Sequence, residues 1–300
     1  MIHVFGHLNP DSDTVCTAYM TARWLTLKGQ DAHAFRLGEL NRETDYIFRH
    51  AGLTPPPLLD YSLAGKDVWL VDFSEPSQGP ASLNESNVVG IIDHHRLGGL
   101  ITQLPPEVWI KPVGSSATLL WQLMTPTLRR EVSPSEAILL LAAVLSDTVA
   151  LRSPTTTDED HHAVDELCTL AKVEREDFIR ELLTAKTDIV GLSAEELLNK
   201  DSKMFDISGN KVLVAQLELY SLTQAEPLID KLKLAMEKRV TTSGAGLVVL
   251  MLTDISTECS RLYFAGPAFA DNAPCTIAGM LSRKKQLLPW LHTRLNPIAS

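Results

Sequence analysis

Titratable side chains are concentrated at a few points of this chain. In "HLNPDSDT", His7, Asp11 and Asp13 fall within seven positions, directly behind the apolar run "IHVF". Asp72 closes "DVWLVD", and Asp93 closes "VVGIID" with His94 and His95 attached. Asp147 follows the apolar run from Ala137 to Leu145. Carboxylates crowded in this way repel one another unless positive charge sits between them. A mixed Asp and His set with no thiolate suits hard or borderline divalent cations, with Mn²⁺ or Mg²⁺ ahead of zinc. Several carboxylates with imidazoles can hold two metals roughly 3.5–4 Å apart, the spacing used for phosphoryl hydrolysis. One strand-end Asp is more often a cap or turn former, so the reading rests on all these positions converging.

Convergence requires elements that deliver them to one place. Strands are predicted over 2–5, 67–72 and 88–93, separated by helical patterns. That alternation implies a mainly parallel sheet with helices on both faces. Ligands of such sheets bind beyond the carboxyl ends of the strands, where all three acidic or histidine clusters fall. "TVCTAYMTARWLTLKG" reads as a helix stopping at Lys28-Gly29. "SPSEAILLLAAVLSDT" carries a full start signal, with Ser133 as cap, Pro134 in the first turn and Glu136 completing a capping box. "GSSATLLWQLM" starts another helix on Ser115 or Ser116. Beyond Lys186 the segment "TDIVGLSAEELLNKDSKMF" is polar and helical, and then the pattern restarts. Strands over 211–219, 246–255 and 261–266 accompany a helix over 226–240. The fold class is α/β: a first domain over 1–186, a linker or hinge over 187–195, and a smaller α/β domain over 196–300.

Bulk properties narrow the partners. A chain of 300 residues suffices for two domains with separate cores. Its formal net charge of -10 argues against phosphate-backbone binding, so no nucleic-acid partner is expected. No apolar run approaches the ~20 residues that span a bilayer, and no signal peptide is visible, so a soluble, cytoplasmic protein with no membrane partner is expected. Cys16, Cys168, Cys259 and Cys275 form no C-x-x-C pair, against a zinc knuckle or disulfide framework.

"GHLNPDSDT", "VDFSE", "IIDHH" and "LSDTVALRSPTTTDED" resemble the four successive motifs of the DHH phosphoesterase superfamily. "SRKKQLLPWL" (282–291) resembles the second-domain signature of the family II, manganese-dependent inorganic pyrophosphatases. The glycine-rich motif of other DHH branches, which act on nucleotides, is not found. The resemblance implies hydrolysis of pyrophosphate to two phosphates by a metal-bridged hydroxide, at a dinuclear Mn²⁺ site closed by the second domain. It implies that His7, Asp11 and Asp72 bind one metal, and that Asp13, Asp72, His94 and Asp147 bind the other. His95 would face the substrate, with Lys203, Arg283 and Lys284 binding its phosphates. Asp93 and Ser116 would support the ligands from behind, Asp93 by orienting a histidine. Co²⁺ is a candidate substitute for Mn²⁺, Mg²⁺ would arrive with substrate, and a homodimer would form through the first domain's sheet edge. The chain departs from the family at Phe73, where His is usual, and at Leu8 and Ser12, where Lys and Thr are common.

Other chemically suggestive residues are expected to be structural. Trp69, Trp109 and Trp121 should pack the core, His3 should lie inside the first strand, and His161-His162 should open an exposed helix. Pro55-Pro56-Pro57 reads as a surface turn.

Overall fold

The computed structural model describes residues 1–268 and 273–295. It divides into two compact units, Met1–Lys186 and Thr187–Ser300. The first is built on strands β1 (Ile2–Phe5), β2 (Ala32–Ala34), β3 (Asp67–Val71), β4 (Asn87–Asp93) and β5 (Glu107–Ile110). They lie in the order β2-β1-β3-β4-β5, and every pairing is parallel. Because the chain runs one way from β1 to β2 and the other way from β3 onward, a crevice opens where β1 and β3 meet, which is where ligands of this strand order bind.

Helices of the first unit are α1 (Ser12–Leu27), α2 (Arg42–Ala51), α3 (Ser116–Leu123), α4 (Pro126–Arg129), α5 (Pro134–Asp147), α6 (Asp158–Ala171) and α7 (Arg175–Lys186). Helix α5 is almost wholly buried, and its capping box of Ser133 and Glu136 is present in both directions. Helix α3 is capped by Ser115 rather than Ser116. One core joins α1, α2, α3, α5, α6 and one sheet face, with Trp24 and Trp69 in edge contact. The opposite face buries Phe5, Phe35, Leu70, Phe73 and Ile91. Gly6, just past β1, has no room for a side chain: an added Cβ would stand 2.3 Å from Thr14 Cγ2 and 3.0 Å from the Val71 carbonyl oxygen.

The second unit carries a mixed sheet in the order β10-β9-β8-β7-β6. Its strands are β6 (Ser202–Ile207), β7 (Asn210–Leu219), β8 (Leu247–Asp254), β9 (Cys259–Ala265) and β10 (Cys275–Ala278), of which only β7 and β8 pair in parallel. Side chains alternate across it as a pleated strand requires. Leu213, Ala215, Leu217, Val248, Leu250 and Leu252 face α8 (Ala194–Lys200) and α9 (Ile229–Ser243), and Val212, Val214, Leu247, Val249 and Met251 face the opposite core. That core includes Leu291 of α10 (Leu288–Leu295). Within 187–195, Ile189 is buried in this unit's core and Thr187 Oγ1 accepts the Tyr220 N–H.

Three expectations are corrected. The stretch 187–205 is not helical throughout: α8 ends at Lys200, and Ser202–Ile207 forms an edge strand whose mostly exposed side chains lack a regular alternation and so conceal it from a hydropathy reading. Trp109 does not pack the core. It is 39% exposed, because β5 is the last strand of its sheet, whereas Trp69 and Trp121 are buried. Pro56 is buried between its two more exposed proline neighbours. His3 is buried and stacks on Phe35, and His161 and His162 lie exposed in the first turns of α6.

Candidate metal centre

The crevice at the ends of β1, β3 and β4 gathers every titratable residue expected there. Asp11 caps α1, accepting the Thr14 N–H at 2.9 Å, so its carboxylate stands at the positive end of a 16-residue helix. Asp13, in the first turn, is sealed from solvent. It accepts from Thr17 Oγ1 at 2.7 Å, Ser115 Oγ at 2.9 Å, Ser116 N at 2.7 Å and Ala117 N at 3.1 Å, so the start of α3 is wrapped around it. Asp72 leaves β3 with φ of +67°, a left-handed conformation that Asp tolerates better than most residues. Its two oxygens accept from Thr14 Oγ1 and Ser116 Oγ, each at 2.9 Å.

Imidazoles and carboxylates then interleave. His7 Nε2 lies 3.6 Å from both Asp11 and Asp72. His94 Nε2 lies 3.2 Å from Asp72, 3.2 Å from Asp147 and 3.9 Å from Asp13. Two compact donor sets result, His7 with Asp11 and Asp72, and Asp13 with Asp72, His94 and Asp147; Asp72 belongs to both. Asp72 also forms a third set with His94 and His95. An open cleft beside them is lined by His7, Leu8, Asp11, Gln78, His95 and Asp147.

The electrostatics show how much positive charge this geometry demands. Burial disfavours the His7 cation, yet Asp11 and Asp72 beside it raise its pKa to about 11. Burial likewise opposes the His94 cation, and Asp147 and Asp72 outweigh it, raising the pKa to about 12. Asp72 is pushed up by burial, but His7 and His94 hold it below the usual carboxylate range. Asp13 has no cation so close: burial first, then the charges of Asp72 and Asp147, push it well up. Burial also raises Asp147.

The donor set fits divalent metal on one further observation. His94 Nδ1 lies 3.0 Å from the Val113 carbonyl oxygen. With a proton donated there, Nε2 can offer a lone pair to a cation once its own proton is displaced. That buried nitrogen has no hydrogen-bond partner among the described residues. A cation between Nε2 and the three carboxylates removes both the orphaned nitrogen and the repulsion. Hard carboxylate oxygens with two imidazoles, and no thiolate, are chemistry suited to manganese.

Asp93 orients a histidine, and that histidine is His95. Its Oδ1 accepts from both the backbone N–H and, at 3.0 Å, Nδ1 of His95, the residue expected to face substrate. His94, which belongs to two of the donor sets, is oriented by the Val113 backbone carbonyl. Ser116 donates to both Asp13 and Asp72, through its backbone N–H and its hydroxyl respectively. Thr14, Thr17 and Ser115 share that duty and were not singled out by sequence; the i,i+4 spacing of Asp13 and Thr17 on a helix was the available signal. Phe73 points away, into the apolar core near Phe5 and Leu83.

The remaining cations belong to the second unit. Lys203 is exposed on β6, and Lys284 is exposed in the turn Arg283–Leu287 that precedes α10. Arg283 is 7% exposed. Its Nη1 donates to the Asp201 carbonyl oxygen at 3.0 Å and its Nη2 to the Asp201 carboxylate at 2.9 Å, which sets "SRKK" beside the start of β6.

Comparison with known proteins defines the class first. Residues 1–144 match the DHH family N-terminal domain, and residues 180–293 match the DHHA2 domain. A solved Methanococcus jannaschii structure assigned to the family II inorganic pyrophosphatases superposes with a TM-score of 0.63 at 36% identity, covering 99% of this chain and 100% of that one. The manganese-dependent inorganic pyrophosphatase of Methanocaldococcus jannaschii is 36% identical over 99% of this chain and all of its own. That of Methanothrix thermoacetophila is 34% identical over 97% of each. The chain belongs to the manganese-dependent, family II inorganic pyrophosphatases of the DHH superfamily.

Proposed function

We propose that this chain hydrolyses inorganic pyrophosphate to two phosphates with manganese held at the β1–β3 crevice. The observation that carries the reading is the pair of donor sets sharing Asp72. His7, Asp11 and Asp72 would hold one ion, and Asp13, Asp72, His94 and Asp147 the other, two per subunit, with Co²⁺ a candidate replacement. Divalent cations bound there neutralise phosphate charge and make water acidic enough to supply a nucleophile near neutral pH. The protein's own part is to keep the donors in place: Thr14, Thr17, Ser115 and Ser116 fix the carboxylates so that little reorganisation accompanies reaction. Asp93 holds His95 by Nδ1, leaving Nε2 free to meet a phosphate oxygen. Arg283, held by Asp201, would meet phosphoryl oxygens with the N–H groups that Asp201 leaves free, and Lys203 and Lys284 would act as point charges. Residues 187–195 serve as the hinge through which the second domain closes on the site, and Mg²⁺ enters with pyrophosphate.

The homodimer reading is supported by the edge strand β5, where Val108 and Trp109 are exposed, and by exposed Leu97, Ile101 and Leu104 just before it. An edge carrying apolar side chains and unpaired backbone groups favours strand-to-strand association. We place the enzyme in the cytoplasm, where the polymerisation reactions that release pyrophosphate run. No helix among the described residues is long and apolar enough to cross a membrane.

The deciding assay strips the protein with chelator, reloads it with Mn²⁺ and compares phosphate release from pyrophosphate, tripolyphosphate and adenosine 3′,5′-bisphosphate in Mg²⁺ buffer. Strong preference for pyrophosphate, abolished without Mn²⁺, is expected. Preference for either other substrate would keep the two-metal site and overturn the pyrophosphate assignment.

A further inference from the structure

A buried carboxylate outside the donor sets ties two of the ligand-bearing segments together. Glu43 lies in the first turn of α2 and is 4% exposed. A single oxygen, Oε2, accepts both the Ser12 hydroxyl and the Ser146 hydroxyl at 2.9 Å. Ser12 stands between Asp11 and Asp13, and Ser146 immediately precedes Asp147. The start of α1 and the end of α5 therefore meet on one atom contributed by a third helix. Around that atom, Thr44 Oγ1 lies 3.0 Å from the Ser12 hydroxyl oxygen. Lys186 Nζ donates at 3.1 Å to both the hydroxyl and the carbonyl oxygen of Ser146, and lies 3.8 Å from Glu43 Oε2.

Stability alone is a poor account of this arrangement. Burial raises the Glu43 pKa despite the nearby Lys186. Its other oxygen, Oε1, is buried with no hydrogen-bond partner among the described residues. A buried carboxylate so incompletely paired stabilises a fold weakly at best, and an apolar residue of similar volume often does as well. What the carboxylate does supply is a shared acceptor that fixes the distance between two neighbouring segments. Asp13 and Asp147, one residue from Ser12 and Ser146, belong to the same donor set.

We propose that Glu43 is a positioning residue for the metal centre: through Ser12 and Ser146 it sets the separation of Asp13 and Asp147, and so the affinity of the Asp13–Asp72–His94–Asp147 set for its ion. The proposal rests on the manganese reading of that centre. Because it concerns an acceptor rather than a charge, Glu43→Gln, which keeps an oxygen able to receive both hydroxyls, separates the two explanations. Ser146→Ala removes the link to Asp147 alone.

The test is an equilibrium Mn²⁺ titration of metal-free protein, with free Mn²⁺ followed by electron paramagnetic resonance and folding checked by circular dichroism. Wild type is expected to bind two ions per chain. Glu43→Ala should weaken one of them about ten- to a hundredfold, the range for residues that orient metal ligands, and leave the other within threefold. Glu43→Gln should stay within threefold of wild type at both. Ser146→Ala should weaken the same ion, and adding it to Glu43→Ala should cost little more, since both act on one contact. Wild-type affinity at both ions in folded Glu43→Ala would overturn the proposal while leaving the manganese reading intact. Equal losses in Glu43→Gln and Glu43→Ala would overturn it in favour of a charge effect. An unfolded Glu43→Ala transfers the decision to Ser146→Ala, whose unchanged binding would count against the proposal. Failure of wild type to bind Mn²⁺ would sink both readings.

Discussion

In the first unit Asp13 and Asp72 are all but sealed from water, and hydroxyl or amide donors grip both carboxylates; in the second, Lys203 and Lys284 stand in solvent. Arg283 is the exception there, buried and tied to Asp201. A metal ligand misplaced by half an ångström loses much of its value, so it needs rigid neighbours and a helix N-terminus to hold it. A lysine that must meet a mobile anion gains from a flexible stem and a hydrated head. Under the proposed function, the acidic centre of the first unit is built in advance, while the lysines of the second stay adjustable and only its guanidinium is fixed.

The largest effect should come from the residue common to both donor sets. Asp72→Asn keeps size and most hydrogen bonding but removes the charge shared by both ions. It should lower pyrophosphate hydrolysis at least about a thousandfold and abolish tight Mn²⁺ binding. Retention of both tightly bound ions, measured by metal analysis after gel filtration, would refute the shared role of Asp72. In the second unit the same assays should part company. Arg283→Ala should cost about a hundredfold in kcat/KM with Mn²⁺ binding unchanged. Arg283→Lys should fall nearly as far, because the ammonium cannot reproduce the fork that Asp201 positions. A loss of Mn²⁺ affinity in either variant would erase the division of labour between the units.

Much of this division is legible from residue types. The acids and imidazoles at strand ends and the Ser133–Glu136 capping box are local patterns, and local patterns survive translation into structure. What sequence could not convey is contact across the chain. His94 is oriented by the carbonyl of Val113, and every residue type has a carbonyl. Asp93 holds its neighbour His95 rather than His94, a choice made by the geometry of the turn. Strands β2, β5, β6 and β10 are short or lie at sheet edges, where apolar alternation weakens, and Trp109 looked like core because an edge leaves no mark in composition. Glu43 reads as one more charge on an amphipathic helix until Ser12 and Ser146 are seen on the same oxygen.

Protonation sharpens the comparison further, because cations and protons compete only in the acidic half. His7 and His94 are raised from an ordinary value near 6.5 to about 11 and about 12 in the metal-free fold. Raised pKa values stabilise the folded state fully below about 6.5, and that contribution is lost as pH climbs through 11 to 12. At pH 7 the metal-free protein therefore carries both protons, and Mn²⁺ must displace them. Calorimetric titration in buffers of different ionisation enthalpy should report about one proton released per histidine-bearing set, and affinity per ion should fall up to about tenfold per pH unit below neutrality. Zero proton release would refute the protonated state of both imidazoles in the metal-free fold.

The smallest expected effect probes what keeps Asp147 in place from its other side. Immediately beyond α5, Val149, Ala150 and Leu151 adopt φ of +50°, +56° and +64°, three left-handed residues in succession with no glycine among them. Each such residue costs roughly 1–2 kcal/mol, and a β-branched one is the least tolerant. The Thr148 side chain closes the turn by donating to the Val144 carbonyl oxygen at 2.6 Å and accepting the Leu151 N–H at 3.0 Å, while the Ala150 N–H donates to the Leu145 carbonyl oxygen at 2.7 Å. Val149 is 41% exposed, so Val149→Gly removes little packing while relieving the strain. Part of that gain is offset by the extra freedom glycine has in the unfolded chain. Thermal melting of the metal-free protein should rise by about 2 °C. Mn²⁺ affinity should fall a few-fold if the rigid turn helps Glu43 and Ser146 hold Asp147 in register. A higher melting temperature with undiminished affinity would assign the register to Glu43 and its two serines alone.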